Sequence, residues 1–397
     1  MELIDHKQCT SCGACVLACP KQCIQMKCDI MGVWYPEINV EKCVNCRRCR
    51  KVCHVNKNNI NNISDDVFVA WNSNKEMRRN SASGGIATAL YLMALKNNWV
   101  SFGVQYIPKV GARYIEVKEK SDIELCKNSK YLYCDCTNVY RQVKNNIDSG
   151  RIVLFIGLPC QVAGLKAFLG KACDRLITVD ILCHGTAPDV YINQHIEAIE
   201  KKKNRISKKM SFRNPLYGTE KYRFTLSDDY GEFYNVGVFE NDVYQIGYHK
   251  SLILKENCYN CKYARKERIG DLTISDFSGL GKVTEWTKSK ESVSLIVVST
   301  DRGKKLLKKM IDEKLVIAER RPSDEAFLYD HMFQRPSERH IKREMFEKMY
   351  SSSQSFEKSA YICLKGDIKK NFLLEKLRLK YIKRLYNKVK RLKEGVF

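Results

Sequence analysis

The chain has 397 residues, with 69 Lys and Arg against 45 Asp and Glu, a formal charge of +24, and 44% apolar residues. That length suits two or three domains, and the apolar share excludes a disordered chain. Nineteen cysteines, ten of them before residue 54, set it apart from an ordinary soluble enzyme.

The N-terminus, MELIDHKQCT, carries no apolar signal segment, and no uninterrupted apolar stretch reaches spanning length; the best candidate, 152–169, is broken by Gly157, Pro159, Gly164 and Lys166. Reduced, metal-holding thiolates in the cytoplasm are therefore expected rather than disulfides. The positive charge calls for an anionic partner such as an acidic redox carrier, although the Lys-, Asn- and Ile-rich composition of AT-biased coding accounts for the excess equally well. No nucleic-acid-binding module is recognisable, so no nucleic-acid partner is expected.

Residues 1–56 form the first unit. Cys9, Cys12, Cys15 and Cys19 precede Pro20 in a C-x2-C-x2-C-x3-C-P run. Cys43, Cys46, Cys49 and Cys53 repeat the spacing, with His54 in the proline position. Such runs hold [4Fe–4S] clusters, each fourth cysteine serving the other cluster. The expected sets are Cys9, Cys12, Cys15 and Cys53 for one site, and Cys43, Cys46, Cys49 and Cys19 for the other. Zinc sites use pairs of ligands rather than triplets with a trailing cysteine. Cys23 and Cys28 fit neither set and are read as incidental. Lys42, Arg47, Arg48, Arg50 and Lys51 crowd the second run, where they favour the reduced cluster and offer a dock for an acidic carrier.

An Asn-rich linker, 57–66, leads into alternating strands and helices. VFVAW (67–71), WVSFGVQY (99–106), ARYIEVK (112–118), RIVLFIG (151–157) and LITVDILC (176–183) read as strands. The segments opening at Ser81, NVYRQVKNNIDSG (138–150) and CQVAGLKAFLG (160–170) read as helices. Between 208 and 248 four segments read as strands: KMSFRN, YRFTLSD, GEFYNV and DVYQIGY. DLTISDF and SVSLIVVST are further strands, followed by a helix from about Arg302. The fold class is thus α/β (mixed α+β) behind a ferredoxin-type lobe. The final segment, 346–397, reads as a basic amphipathic helical tail with Leu374, Leu377, Tyr381, Leu385, Val389 and Leu392 on one face. It suits packing on the body, a partner, or peripheral contact with an anionic membrane.

Cys160 lies where a strand meets a helix, a position whose free N–H groups favour a thiolate. Cys183 ends the next strand, and Cys258 and Cys261 form a C-x2-C pair. Spacing leaves two readings open: one further [4Fe–4S] site, or buried thiols. Cys134 and Cys136 read as incidental.

SASGG (81–85), NSKY (128–131), GLPCQVAGLKAFL (157–169), VDILCHG (179–185), SFR (211–213), CYNCKYA (258–264) and GDLTISDFSG (270–279) come in an order that resembles the beta subunit of coenzyme F420 hydrogenase/dehydrogenase. The likeness runs over about 67–345 and leaves out the tail. It implies a flavin-binding catalytic domain in which FAD sits beside a [4Fe–4S] cluster held by Cys160, Cys183, Cys258 and Cys261. On the same grounds Ser81, Ser83, Gly84 and Gly85 are expected to approach the flavin or its pyrophosphate, where the alternative is a plain helix cap. Lys130 is the candidate for a phosphate or the ring, Asp276 for a flavin or ribose hydroxyl, and His184 for a proton donor. Ser278 replaces a tryptophan common in the family's last motif, which puts flavin packing in doubt. The implied activity is an oxidoreductase passing electrons between an F420-like two-electron carrier and a ferredoxin-like partner. The alternatives are a ferredoxin-dependent reductase of another metabolite, such as a surface-polysaccharide precursor, and a non-catalytic relay subunit.

Overall fold

The computed structural model describes residues 3–57, 63–170, 173–218, 222–238 and 240–393, with the side chains of the last helix described to residue 377 except 375. The N-terminal lobe contains the one-turn helix α1 (Ala14–Leu17), the hairpin β1 (Ile24–Cys28) and β2 (Trp34–Ile38), and the one-turn helix α2 (Arg48–Lys51). β1 and β2 pair antiparallel, Ile24 opposite Ile38.

The succession that follows is β3 (Val67–Asn72), α3 (Lys75–Arg79), α4 (Ile86–Lys96), β4 (Val100–Ile107), β5 (Gly111–Glu116), α5 (Lys120–Cys126), β6 (Cys134–Asp135), α6 (Thr137–Asp148), β7 (Val153–Gly157), α7 (Pro159–Leu169), β8 (Leu176–Ile181) and α8 (Asp189–Lys203). A three-stranded antiparallel sheet comes next, β9 (Lys209–Ser211), β10 (Arg223–Asp228) and β11 (Gly231–Gly237), then α9 (Val243–His249). The chain returns through β12 (Leu272–Asp276), β13 (Ser294–Val298), α10 (Asp301–Asp312), β14 (Val316–Arg321) and α11 (Ser323–Phe327), and ends in α12 (Arg343–Ser353) and α13 (Phe356–Lys393).

Nine strands make the main sheet, in the order β14-β3-β13-β12-β8-β7-β4-β5-β6. The central run β12, β8, β7 and β4 is parallel, and β13, β3 and β14 extend it antiparallel. Helices cover both faces, which is why the strands read as continuous apolar runs. In β7, Leu154 and Ile156 join the core beneath α4 and α10, while Val153 and Phe155 join the core beneath α6 and α7. The parallel arrangement sends the carboxyl ends of β7, β8 and β12 to one edge, the usual place for a ligand in an open α/β sheet.

One expectation needs correction. DVYQIGY is the helix α9 rather than a strand. Asp242 caps it by accepting the Gln245 N–H at 2.7 Å, and residues 243–248 are all buried. A short segment buried all round shows no helical periodicity, and its aromatic and β-branched residues mimic a strand. The basic tail packs on the body at its start, one of the placements its sequence suits. Phe346, Tyr350, Phe356, Ala360, Cys363 and Leu364 belong to the core with α8 and α9. Leu374 and Leu377 are exposed, while the side chains of Tyr381, Leu385, Val389 and Leu392 lie outside the described residues. Among the described residues no helix is long and apolar enough to cross a membrane.

Two buried ionic networks hold these layers. Arg268 and Asp180 are both buried and pair at 2.8 Å; Asp180 also accepts the Gly270 N–H and the Thr273 hydroxyl, tying the segment after Cys261 to β8. His195 on α8 donates to Asp242 at 2.8 Å and to Glu357 on α13. Burial pushes the His195 imidazole down, but the two carboxylates outweigh it and its pKa rises to about 10. A folded pKa above the unfolded value of about 6.5 stabilises the fold fully below that pH, and the stabilisation is lost as pH rises through about 10. His195→Gln should therefore lower the thermal unfolding midpoint more at pH 6 than at pH 10.5. An equal loss at both pH values would contradict the charged pairing.

Candidate iron–sulfur centres and cofactor site

The two cysteine loops of the N-terminal lobe share one backbone design. Ser11 and Gly13 take positive φ of 61° and 74°, and Asn45 and Arg47, at the same register in the second run, take 52° and 58°. Left-handed residues alternating with ordinary ones turn a loop inward on an anionic group. One-turn helices α1 and α2 follow, so that the fourth cysteine of each run is carried away from its own loop. The result is an exchange. Cys9, Cys12, Cys15 and Cys53 line a cavity of about 330 Å³. Cys19, Cys43, Cys46 and Cys49 line another of about 360 Å³.

The remaining set assembles at the carboxyl edge of the main sheet. Cys160 follows β7 in the first turn of α7, Cys183 follows β8, Cys258 lies in a 3-10 turn, Glu256–Asn260, and Cys261 follows that turn. All four line one cavity of about 500 Å³. The donor chemistry of the two N-terminal sets fits [4Fe–4S] clusters. Among the described residues, His184, Asp330 and His331 form a trio whose ligand atoms lie mutually within 4.8 Å.

Burial raises the thiol pKa of Cys9, pushes Cys12 to about 12 and raises Cys15 as well. In the third set burial, reinforced by the neighbouring cysteines, lifts Cys160 and Cys183, and burial followed by Cys258 pushes Cys261 to about 11. These sulfurs become thiolates when a metal cation takes up the charge.

The N-terminal lobe is fastened beside the third cavity. His54 Nε2 lies 2.9 Å from the Thr10 hydroxyl, and its Nδ1 lies 2.5 Å from the Tyr263 hydroxyl. Burial lowers the His54 pKa to about 3, so the ring is neutral. The residue standing in for proline is thus a cross-link between the second cysteine run and the C-x2-C segment. Tyr133 donates to the Ser11 carbonyl at 2.5 Å, and Lys262 to that of Val55. A Cβ on Gly164 would stand 2.7 Å from the Tyr140 hydroxyl and 3.0 Å from Cys12 Sγ, so a larger residue there would press on both. Thr10 lines both the Cys9 cavity and the third cavity.

The remaining predicted site residues share the carboxyl edge in part. Ser81 donates to the Met77 carbonyl at 2.7 Å and Ser83 to that of Val293 at 2.8 Å, while the Gly84 N–H donates to Ser294 at 2.9 Å. A Cβ on Gly84 would lie 2.5 Å from the Ala70 carbonyl, and Gly85 has φ +77°. These groups thus serve the junction of β3, β13 and α4. Ser294 sits opposite Asp276 in the β12–β13 register, which puts SASGG and Asp276 at the same strand ends. Asp276 accepts from Arg213 at 2.7 Å and from Tyr222 at 3.0 Å. Lys130 donates to the carbonyls of Leu125 and Lys127, and burial lowers its pKa to about 8. His184 is exposed and pairs with Asp330 at 3.2 Å; Asp330 in turn lies 3.5 Å from the Ser278 hydroxyl.

Sequence reasoning missed several members of these sites. Cys23 is buried in the wall of the Cys19 cavity, its sulfur 3.3 Å from Cys19 Sγ. Asp330, His331 and Lys255 carry no motif of their own and emerge only with the tertiary fold, and Tyr263, inside CYNCKYA, gains its role only there.

This is the constitution of an iron–sulfur protein. Known proteins agree. Residues 8–57 match the 4Fe-4S dicluster domain. Residues 67–141 match the N-terminal model, and 150–324 the C-terminal model, of the coenzyme F420 hydrogenase/dehydrogenase beta subunit. The chain belongs to that family, whose members are oxidoreductase subunits. It is similar to a subunit of the F(420)H(2) dehydrogenase of Methanosarcina mazei, at 22% identity over 223 residues, 53% of this chain and 63% of that relative. The match thus spans less than two thirds of the relative's length. A chain in a structure of the F420-reducing [NiFe] hydrogenase complex from Methanosarcina barkeri aligns at 16% identity and a TM-score of 0.45, over 82% of this chain and 96% of that one.

Gly164→Val should force α7 off the Cys12 loop and lower the iron-to-protein ratio after anaerobic reconstitution. Gly366→Ala, with nothing within 4 Å, should leave the ratio unchanged. Equal iron in both variants would show that the close approach is dispensable.

Proposed function

We propose that the chain is an FAD and iron–sulfur oxidoreductase that passes electrons between a two-electron, F420-like carrier and a ferredoxin-like partner. The observation that supports it best is the serial order of three four-cysteine cavities. The Cys19 set lies outermost, with Cys46 exposed, the Cys9 set follows, and the Cys160 set shares Thr10 with it. When bound, FAD supplies a step that handles both electron pairs and single electrons, and the clusters supply single-electron steps.

The protein's own residues then have defined tasks. The twelve cysteines hold the clusters. Arg213 and Tyr222 fix the Asp276 carboxylate, leaving its geometry set for a flavin or ribose hydroxyl. Ser81, Ser83, Gly84, Gly85 and Lys130 are the candidates for the flavin's phosphates and ring. His184, oriented by Asp330, can hold a proton at Nδ1 at the solvent-facing rim. Lys42, Arg47, Arg48, Arg50 and Lys51 are exposed around the outermost set and suit an acidic carrier.

One observation favours a second reading, a relay subunit without flavin: the side chains of Ser81 and Ser83 and the N–H of Gly84 already have partners within the fold. Anaerobic purification with iron and flavin analysis separates the two. About twelve irons and one FAD per chain support the enzyme; about eight irons and no flavin support the relay. Cys258→Ser should remove about four irons and leave the dicluster signals in place, and unchanged iron would sink the third centre. Bleaching of the flavin by reduced F420 tests the carrier, and its absence points to another metabolite.

Charge reversal at Arg47 and Arg48 should slow electron exchange with an acidic ferredoxin by about tenfold or more at low ionic strength. The difference should shrink at about 0.5 M salt, where exposed charges are screened. Stopped-flow rates that ignore both the substitutions and the salt would place the docking face elsewhere.

A further inference from the structure

Lys255 is 2% exposed, yet among the described residues it makes no ion pair with a carboxylate. Its ammonium donates to the Ser11 hydroxyl at 2.7 Å and the Thr10 carbonyl at 3.2 Å, and stands 3.9 Å over the Tyr133 ring. These are neutral partners. A buried cation with no anion is among the most costly groups a fold can contain. The chain nevertheless pins it in place: the Lys255 N–H donates to the Thr186 carbonyl at 2.8 Å, and its own carbonyl accepts from the Cys258 N–H at 2.9 Å.

The missing anion is identified by what lies on either side. Lys255 lines the cavity of Cys160, Cys183, Cys258 and Cys261. The groups it holds, Thr10 and Ser11, line the cavity of Cys9, Cys12, Cys15 and Cys53. Lys255 does not line the Cys19 cavity.

We propose that Lys255 is the shared counter-charge of the two inner centres, raising both reduction potentials together and making this pair, rather than the outer centre, the place where an electron rests. A cation in the wall between two anionic clusters stabilises the form of each that carries one more negative charge, and low local dielectric enlarges the effect. The inference rests on the third centre proposed above. The plain alternative is a structural lysine that only docks the N-terminal lobe.

The experiment is an anaerobic redox titration of the full chain followed by electron paramagnetic resonance, preceded by iron analysis of the unmodified protein. About eight irons there would dispose of the third centre itself, and with it the shared role of Lys255, before any variant is made. With about twelve irons, Lys255→Gln keeps hydrogen bonds to Thr10 and Ser11 but removes the charge. It should shift two potentials negative and leave the third, assigned to the Cys19 set by Cys46→Ser, unmoved. Lys255→Arg, which keeps the charge, should restore the unmodified pattern. The same Gln variant losing iron or unfolding midpoint with the remaining potentials unmoved would mark a docking lysine and overturn the proposal. A shift of one inner potential alone would overturn the sharing. If Lys255→Gln does not fold, Lys255→Met and Lys255→Arg compared for the same signals decide the matter, and inner potentials in the Arg variant that match those of an uncharged one count against it.

Discussion

A thiol removed from water keeps its proton, because the charged form loses its solvation. That constraint acts on the two inner cysteine sets of this chain. Burial, reinforced by neighbouring cysteines, drives the pKa of Cys12, Cys15, Cys160 and Cys183 above that of a thiol in water. A thiol in such a place gives up its proton when a metal cation takes up the charge, which couples metal binding to folding wherever a buried cysteine set is a ligand set. The fold contributes by shape: left-handed turns at equivalent positions of two loops, one-turn helices that carry each fourth cysteine across, and two parallel strand ends that set Cys160 and Cys183 side by side.

Joining the N-terminal lobe to the main sheet depends on polar contacts that are individually ordinary. A neutral hydrogen bond contributes about 1 kcal/mol. His54, Tyr133, Lys255 and Lys262 together nonetheless fix the orientation of the lobe at several points, and Gly164 sets its distance. Electron transfer demands this kind of attachment. The lobe must stay close enough for two centres to share a wall, and a flexible tether would not hold them so.

The ligand exchange between the two N-terminal runs is legible because it is encoded locally, in spacing that a short loop and one helical turn translate into geometry. The third set is not legible in that way. Cys160, Cys183 and Cys258 are separated by long stretches of chain, and only the sheet order brings them to one edge; the ordered motifs of a family point there where spacing leaves two readings open. Lys255 is invisible in the sequence because its significance lies in what it touches, and Tyr263 sits in a motif that does not name its contact. His54 stands out only as a departure from proline, and its role as a cross-link needs the partner from the far end of the chain. α9 reads as a strand for a related reason: burial on all sides erases the periodicity that marks a surface helix. The SASGG glycines show the limit of motif reading, since Gly84 is explained by the Ala70 carbonyl against it before any ligand is considered.

The excess of positive charge divides into two kinds that act differently. Arg47, Arg48 and Lys51 stand in water, where their field falls off over a Debye length of about 8 Å at physiological salt. They act on the approach of a charged partner and have little hold on an electron once it is inside. Lys255 stands where neither water nor salt reaches, so its field acts at full strength on both neighbouring cavities and contributes nothing to encounter. Steering and holding thus fall to separate cations. The outermost centre, with an exposed cysteine and screened neighbours, is left to pass electrons rather than to keep them.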